Sequence, residues 1–192
     1  MSSIDFTKTE LAAAIDRGVR QCIVIGSLQQ PWREAFQSSF ERTLKVFAVD
    51  EDPQSDSPAT FVPTQFATEA LATALAKSDF DKRKASFFVW LGGAGYRTVE
   101  AALASLAFVA SLPRGSGVVF DYVVERASLG SLIHTPLDAL ASRIILAGGS
   151  VKYLIQPQAV AAMLRGLGFQ QIVDLVQVGL PDCGGHLVSA MV

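Results

Sequence analysis

Two short apolar runs in this chain end in residues suited to holding a small polar ligand. Residues 21–25 (QCIVI) run into Gly26, and residues 44–49 (LKVFAV) run into Asp50. In open sheets built from alternating strands and helices, ligands sit beyond the carboxyl ends of the strands, where the strand order reverses. A carboxylate at the end of the second strand accepts two hydrogen bonds from neighbouring hydroxyls, the usual way of gripping a ribose. A solvated strand-end aspartate is the competing reading of Asp50, and the residue type alone leaves both open. Gly92-Gly93-Ala94-Gly95 follows another apolar run, 86–91. Such a loop either cradles a phosphate or turns past a ligand. No G-x-G-x-x-G follows the first strand, which argues against a nicotinamide-dinucleotide enzyme.

The other reactive residue types are sparse. His134 and His186 are far apart, with no ligand spacing around either, so structural roles are expected for both. Cys22 lies inside an apolar run and Cys183 in a turn without an activating neighbour. Two cysteines make neither a disulfide framework nor a metal set, and a reducing cytoplasm is the default compartment. Trp32 and Trp90 read as core or pocket wall. Lys82-Arg83-Lys84 is the one basic cluster, and it reads as a solvated loop.

The elements that must position these residues alternate along the chain. Thr7 to Glu10, T-x-x-E, reads as a capping box opening a first helix, with Gly18 as its stop. Strands are expected at 21–26, 44–50, 59–66, 86–91 and 118–124, with Pro63 marking an edge strand or a strand end. Helices are expected after Pro31 and at 69–77, 98–112, 136–147 and 157–167, the last opened by Pro157 and closed by Gly168. Two final strands, 170–178 and 185–192, flank a Pro-Asp-Cys-Gly-Gly turn and read as an antiparallel hairpin. This pattern predicts one α/β domain over residues 1–192, with a mostly parallel, doubly wound sheet.

Composition sets limits. The chain has 192 residues, of which 50% are hydrophobic, and a formal net charge of −2. That balance gives no nucleic-acid footprint. The longest apolar stretch, 101–112, is interrupted by Ser105 and Ser111 and falls short of the roughly 18 residues of a membrane span. No secretory leader is visible at the start, MSSIDFTKTE. The expected partners therefore include neither nucleic acid nor membrane. The high mean hydropathy, +0.35, predicts a sheet covered on both faces or a buried subunit contact.

Residues 61–122 carry a longer pattern. An apolar strand leads to Trp90-Leu91-Gly92, then to a turn holding Tyr96 and Thr98, then to a helix. Leu112-Pro113-Arg114-Gly115-Ser116 follows, before a strand ending Phe120-Asp121-Tyr122. This block resembles the bacterial branch of the leucine carboxyl methyltransferase family. Residues 15–26, 46–50 and 157–169 are similar to that family's approach to its cofactor loop, its second strand and the helix before its sixth strand. The resemblance implies a seven-stranded, Rossmann-like methyltransferase sheet with an antiparallel last strand. It implies S-adenosylmethionine as methyl donor and an oxygen acceptor, in the best-understood branch a peptide's terminal carboxylate. It places Gly26, Ser27, Asp50, Gln65, Phe66, Leu91 and Gly92 at the donor, and Tyr96 at the acceptor. A carboxylate is already ionised at pH 7 and needs no general base; alignment with the methyl group then carries the reaction.

The chain departs from that family's pattern in its first loop. Gly26-Ser27-Leu28-Gln29-Gln30 has Leu28 where the family has a second glycine and Gln30 where it has an aspartate. An isobutyl group there fills space that glycine leaves to the ligand. Gln65 replaces an adenine-contacting aspartate but keeps an acceptor oxygen. The N-terminal lid of the family, with its arginine, has no counterpart before the first helix. The expectations are that S-adenosylmethionine binds weakly or not at all, and that a homodimer buries the surface a lid would cover. Two functions are consistent with this: an O- or carboxyl-methyltransferase, impaired in catalysis, or a non-catalytic descendant that keeps the sheet for dimerisation or partner binding.

Overall fold

The computed structural model describes residues 2–26, 43–52, 59–66, 68–91, 98–124, 144–147, 150–153, 157–177 and 184–192. The described chain begins with α1 (Ser3–Asp16). Ser2 caps it: the Asp5 N–H donates to Ser2 Oγ at 3.1 Å, and the Ser2 N–H donates back to Asp5 Oδ2 at 3.3 Å. The capping box therefore stands earlier than Thr7 to Glu10. Thr7 is buried within the helix, because the inward stripe already starts at Phe6 and continues through Leu11 and Ala14.

Seven strands form one sheet: β1 (Gln21–Ile25), β2 (Lys45–Asp50), β3 (Thr60–Pro63), β4 (Ser86–Trp90), β5 (Gly117–Val124), β8 (Gln171–Gln177) and β9 (Gly184–Met191). Their order is β3-β2-β1-β4-β5-β9-β8. The first five are mutually parallel, and β9 runs antiparallel to both β5 and β8. The expected final hairpin is present, and β9 is inserted between β5 and β8. β3 is an edge strand ending at Pro63, whose missing N–H costs nothing there.

Both faces are covered, as the apolar content requires. On one face, α2 (Leu71–Ala76), α3 (Val99–Ala110) and α4 (Pro157–Leu167) pack Leu71, Leu75, Leu106 and Leu164 against Ile23, Phe47 and Phe88. Phe80 adds an edge-on ring contact with Phe47, with centroids 5.8 Å apart. On the other face, α1 packs Phe6, Leu11 and Ala14 against Cys22, Val24, Phe87 and Val89. Fully burying each large side chain stabilises the fold by about 1.5–3 kcal/mol. Cys22 is one of these core residues, and burial pushes its thiol well above the ordinary range.

A separate hairpin pairs β6 (Ile144–Ala147) with β7 (Ser150–Tyr153), antiparallel. The helix expected over 136–147 is thus wrong over its last turn; residues 136–143 lie outside the described residues. The reason is local. Ile144-Ile145 is β-branched, and the run Ile144-Ile145-Leu146 favours a strand over a helix. Among the described residues no helix is long and apolar enough to cross a membrane.

Candidate functional site

The strand order reverses between β1 and β4, so the crevice expected of this architecture opens above the ends of β1, β2 and β4. Gly26 closes β1. It is buried, its φ is +82°, and its N–H donates to the Val49 carbonyl at 2.8 Å. The left-handed backbone favours glycine. Asp50 closes β2, paired with Pro63 of β3 and one residue beyond the Val49–Ile25 pair with β1. Its carboxyl is half-buried, and Oδ1 accepts the Glu51 N–H at 2.7 Å. Burial holds this carboxyl above the usual carboxylate range, against the opposing pull of the Glu51 and Asp52 amides. A carboxylate kept partly out of water at a strand end is suited to accepting two hydroxyl protons.

Beside Asp50 the chain makes a wide cleft of about 760 Å³, whose wall includes Glu51, Thr64, Gln65 and Thr68. Gln65 is exposed just beyond β3, and its side-chain oxygen is 3.5 Å from Thr68 Oγ1. Also on the cleft wall, Lys77 pairs with Glu69 at 2.5 Å and holds that carboxyl below its usual range. Phe66 is buried in the core on the α2 side rather than presented at the surface. Leu91 is half-buried just after β4 and packs toward the α1 side. The fold thus brings Gly26, Asp50, Gln65 and Leu91 to one rim of the sheet. Ser27, Gly92 and Tyr96 lie outside the described residues, as does Leu28. The chemistry of the residues present is compatible with a nucleoside: a half-buried carboxyl at Asp50 that could accept from a diol, and an exposed amide oxygen at Gln65 that could accept from an amine.

Sequence reading passed over a second polar group on the same rim. Tyr122 of β5 pairs in register with His186 of β9, and Asp174 of β8 lies diagonally across from it on the same sheet face. The Tyr122 hydroxyl donates to Asp174 Oδ2 at 2.5 Å, and His186 Nδ1 lies 2.7 Å from Asp174 Oδ1. The Tyr122 and His186 rings overlap with centroids 5.1 Å apart. Burial and the Asp174 carboxylate raise the Tyr122 phenol far above its ordinary range, so it stays a donor. The signal in the sequence was faint. Asp174 and His186 meet only through a register that no local pattern encodes.

The sheet order, with its antiparallel strand inserted next to the edge, is that of the S-adenosylmethionine-dependent methyltransferases. No protein-family model and no curated protein matches the chain. Among solved structures, it is similar to the N-terminal domain of EvdMO1 with S-adenosylhomocysteine bound, at a TM-score of 0.63 and 13% identity, covering 100% of this chain and 81% of that one. The Burkholderia thailandensis 1,6-didemethyltoxoflavin-N1-methyltransferase gives a TM-score of 0.58 at 14% identity, covering 99% and 78%. The glycopeptide N-methyltransferase MtfA, complexed with S-adenosylmethionine, gives 0.53 at 15% identity, covering 95% and 86%. At these identities the likeness defines the fold of this chain.

Proposed function

We propose that the chain is an S-adenosylmethionine-dependent O-methyltransferase-type protein with a weakened hold on its methyl donor. The observation that carries this reading is the left-handed Gly26 beside the half-buried Asp50 at the switch point of a methyltransferase sheet. S-adenosylmethionine supplies an electrophilic methyl group on a sulfonium. Asp50 would accept the ribose hydroxyls, Gln65 the adenine amine, and the backbone at Gly26 would border the nucleoside. Leu28, which stands where the resembled family has a glycine, is expected to lower affinity.

The acceptor in this reading is an oxygen. A carboxylate, the acceptor implied by the similarity of residues 61–122 to the leucine carboxyl methyltransferases, would need only alignment. A hydroxyl would need a proton acceptor in addition. Thermal unfolding with millimolar S-adenosylmethionine tests the reading. Ligand at 100 times its dissociation constant stabilises a fold by about 2.7 kcal/mol, which raises Tm by about 5–11 °C at this size. A rise of that order is expected at millimolar donor and little or none at micromolar donor. No rise at millimolar donor would leave the chain a non-catalytic descendant.

A further inference from the structure

Tyr122, Asp174 and His186 are a hydrogen-bonded set contributed by three strands, and the donor site does not use them. Their place is fixed by register. Ile25, Trp90, Phe120 and Val188 form one row across β1, β4, β5 and β9. Tyr122 and His186 stand two residues beyond that row, toward the carboxyl end of β5, so they share the rim with Gly26 and Asp50. Strands are spaced about 4.8 Å apart, which puts β9 about 14 Å from β1. That leaves room for a methyl donor over β1 and β4 and an acceptor against β5 and β9.

The proton arrangement follows from the distances. Tyr122 donates to one oxygen of Asp174, and His186 Nδ1–H donates to the other. The 3.3 Å approach between the Tyr122 oxygen and His186 Nδ1 is then a contact between two donors that share one acceptor. With both described bonds on Nδ1, the neutral ring carries its lone pair on Nε2. The ring is enclosed but not sealed: 12% of its side chain reaches the surface. A carboxylate that fixes the tautomer and stabilises the imidazolium makes the opposite nitrogen a general base.

We propose that His186 is the proton acceptor of the methyl-transfer site, with Asp174 and Tyr122 as positioning residues, and that the acceptor is a hydroxyl rather than a carboxylate. This rests on the methyl-transfer reading above. The acceptor oxygen gains the methyl group and gives its proton to Nε2, while the electron pair of the broken carbon–sulfur bond stays on sulfur. The imidazolium so formed keeps its Nδ1–H on Asp174.

Nitrogen NMR of the His186 ring in the full chain tests this, with His134→Gln removing the other imidazole. The sample holds saturating S-adenosylhomocysteine, and phenol and benzoate are the acceptor probes. The expected spectrum has the proton on Nδ1 and an unprotonated Nε2, whose resonance moves upfield with phenol and stays put with benzoate. A proton on Nε2, no response to phenol, or an equal response to benzoate overturns the proposal. Calorimetry on the same sample separates the two readings. Heat from S-adenosylhomocysteine with a silent Nε2 removes this inference alone, and no heat removes both.

Discussion

The Tyr122 hydroxyl reaches Asp174 Oδ2 at 2.5 Å, so a side chain of β5 is tied to one of β8 across the intervening β9. This bond fastens the edge strand to the body of the sheet, where the ladder alone would hold it. It has a consequence for alkaline stability. The folded-state phenol is raised above the ordinary value near 10 by burial and by the Asp174 carboxylate.

Between the unfolded and folded values the unfolded chain releases a proton that the folded chain keeps. Stability is therefore complete below about pH 10 and falls as pH rises beyond it. Tyr122→Phe should lower stability at pH 8 by about 1.5–3 kcal/mol, the range for a hydrogen bond to a charged group. It should also flatten the decline between about pH 10 and 11. Urea unfolding of both proteins at each pH checks this; parallel declines would mean the phenol is not held protonated by the fold.

Asp50 should act in opposite directions on stability and on binding. Its carboxyl is raised by burial, so the charged form is penalised in the fold, and stability falls as pH climbs through that raised value. Asp50→Asn keeps an oxygen for the Glu51 amide but carries no charge. The ligand-free variant should be more stable at pH 7, by less than about 1 kcal/mol after solvent screening. Its affinity for S-adenosylhomocysteine should drop about tenfold or more, the loss of one charged hydrogen-bonding partner. Unfolding curves and a binding titration on one preparation suffice. A variant that is less stable and binds equally well would remove Asp50 from the site.

Leu28→Gly should tighten nucleoside binding. If the isobutyl group is the main obstacle, affinity rises about tenfold, equivalent to about 1.4 kcal/mol. Competition between S-adenosylhomocysteine and a fluorescent analogue would read this out. An unchanged dissociation constant would shift responsibility to Gln30 or to the lid that the resembled family carries.

Gly117 tests the packing where β5 meets β9. A Cβ built there would come within 2.1 Å of Met191 Sδ and 2.8 Å of the Ala190 carbonyl oxygen. The thioether can swing away; the carbonyl belongs to the ladder and cannot. Gly117→Ala should destabilise the chain by about 1–3 kcal/mol, as overpacking does. Adding Met191→Ala should recover only part of that. An unaltered urea midpoint for the single variant would contradict the close approach.

Much of the fold was legible because punctuation and periodicity agree. Pro157 and Gly168 bracket α4 at the bounds read from sequence, since proline fits the first helical turn and glycine ends the last. The alternation of apolar runs with helical stripes gave the parallel sheet, and Pro181 to Gly185 gave the terminal hairpin.

What was missed depends on contacts distant in sequence or on competing local signals. Ser2 and Asp5 outcompeted Thr7 and Glu10 because the buried stripe begins at Phe6. The insertion of β9 between β5 and β8, and with it the meeting of Tyr122 with Asp174 and His186, comes from pairing over tens of residues. Of the candidate site, Gly26 and Asp50 were readable as strand ends. His186 looked inert because its partners lie on other strands.

The account stands on a nucleoside site between Gly26 and Asp50, and calorimetric titration with S-adenosylhomocysteine measures it directly. The expected result is saturable, one-to-one binding of modest affinity, weakened by Asp50→Asn. Absence of heat up to millimolar ligand, or binding indifferent to Asp50, would contradict it.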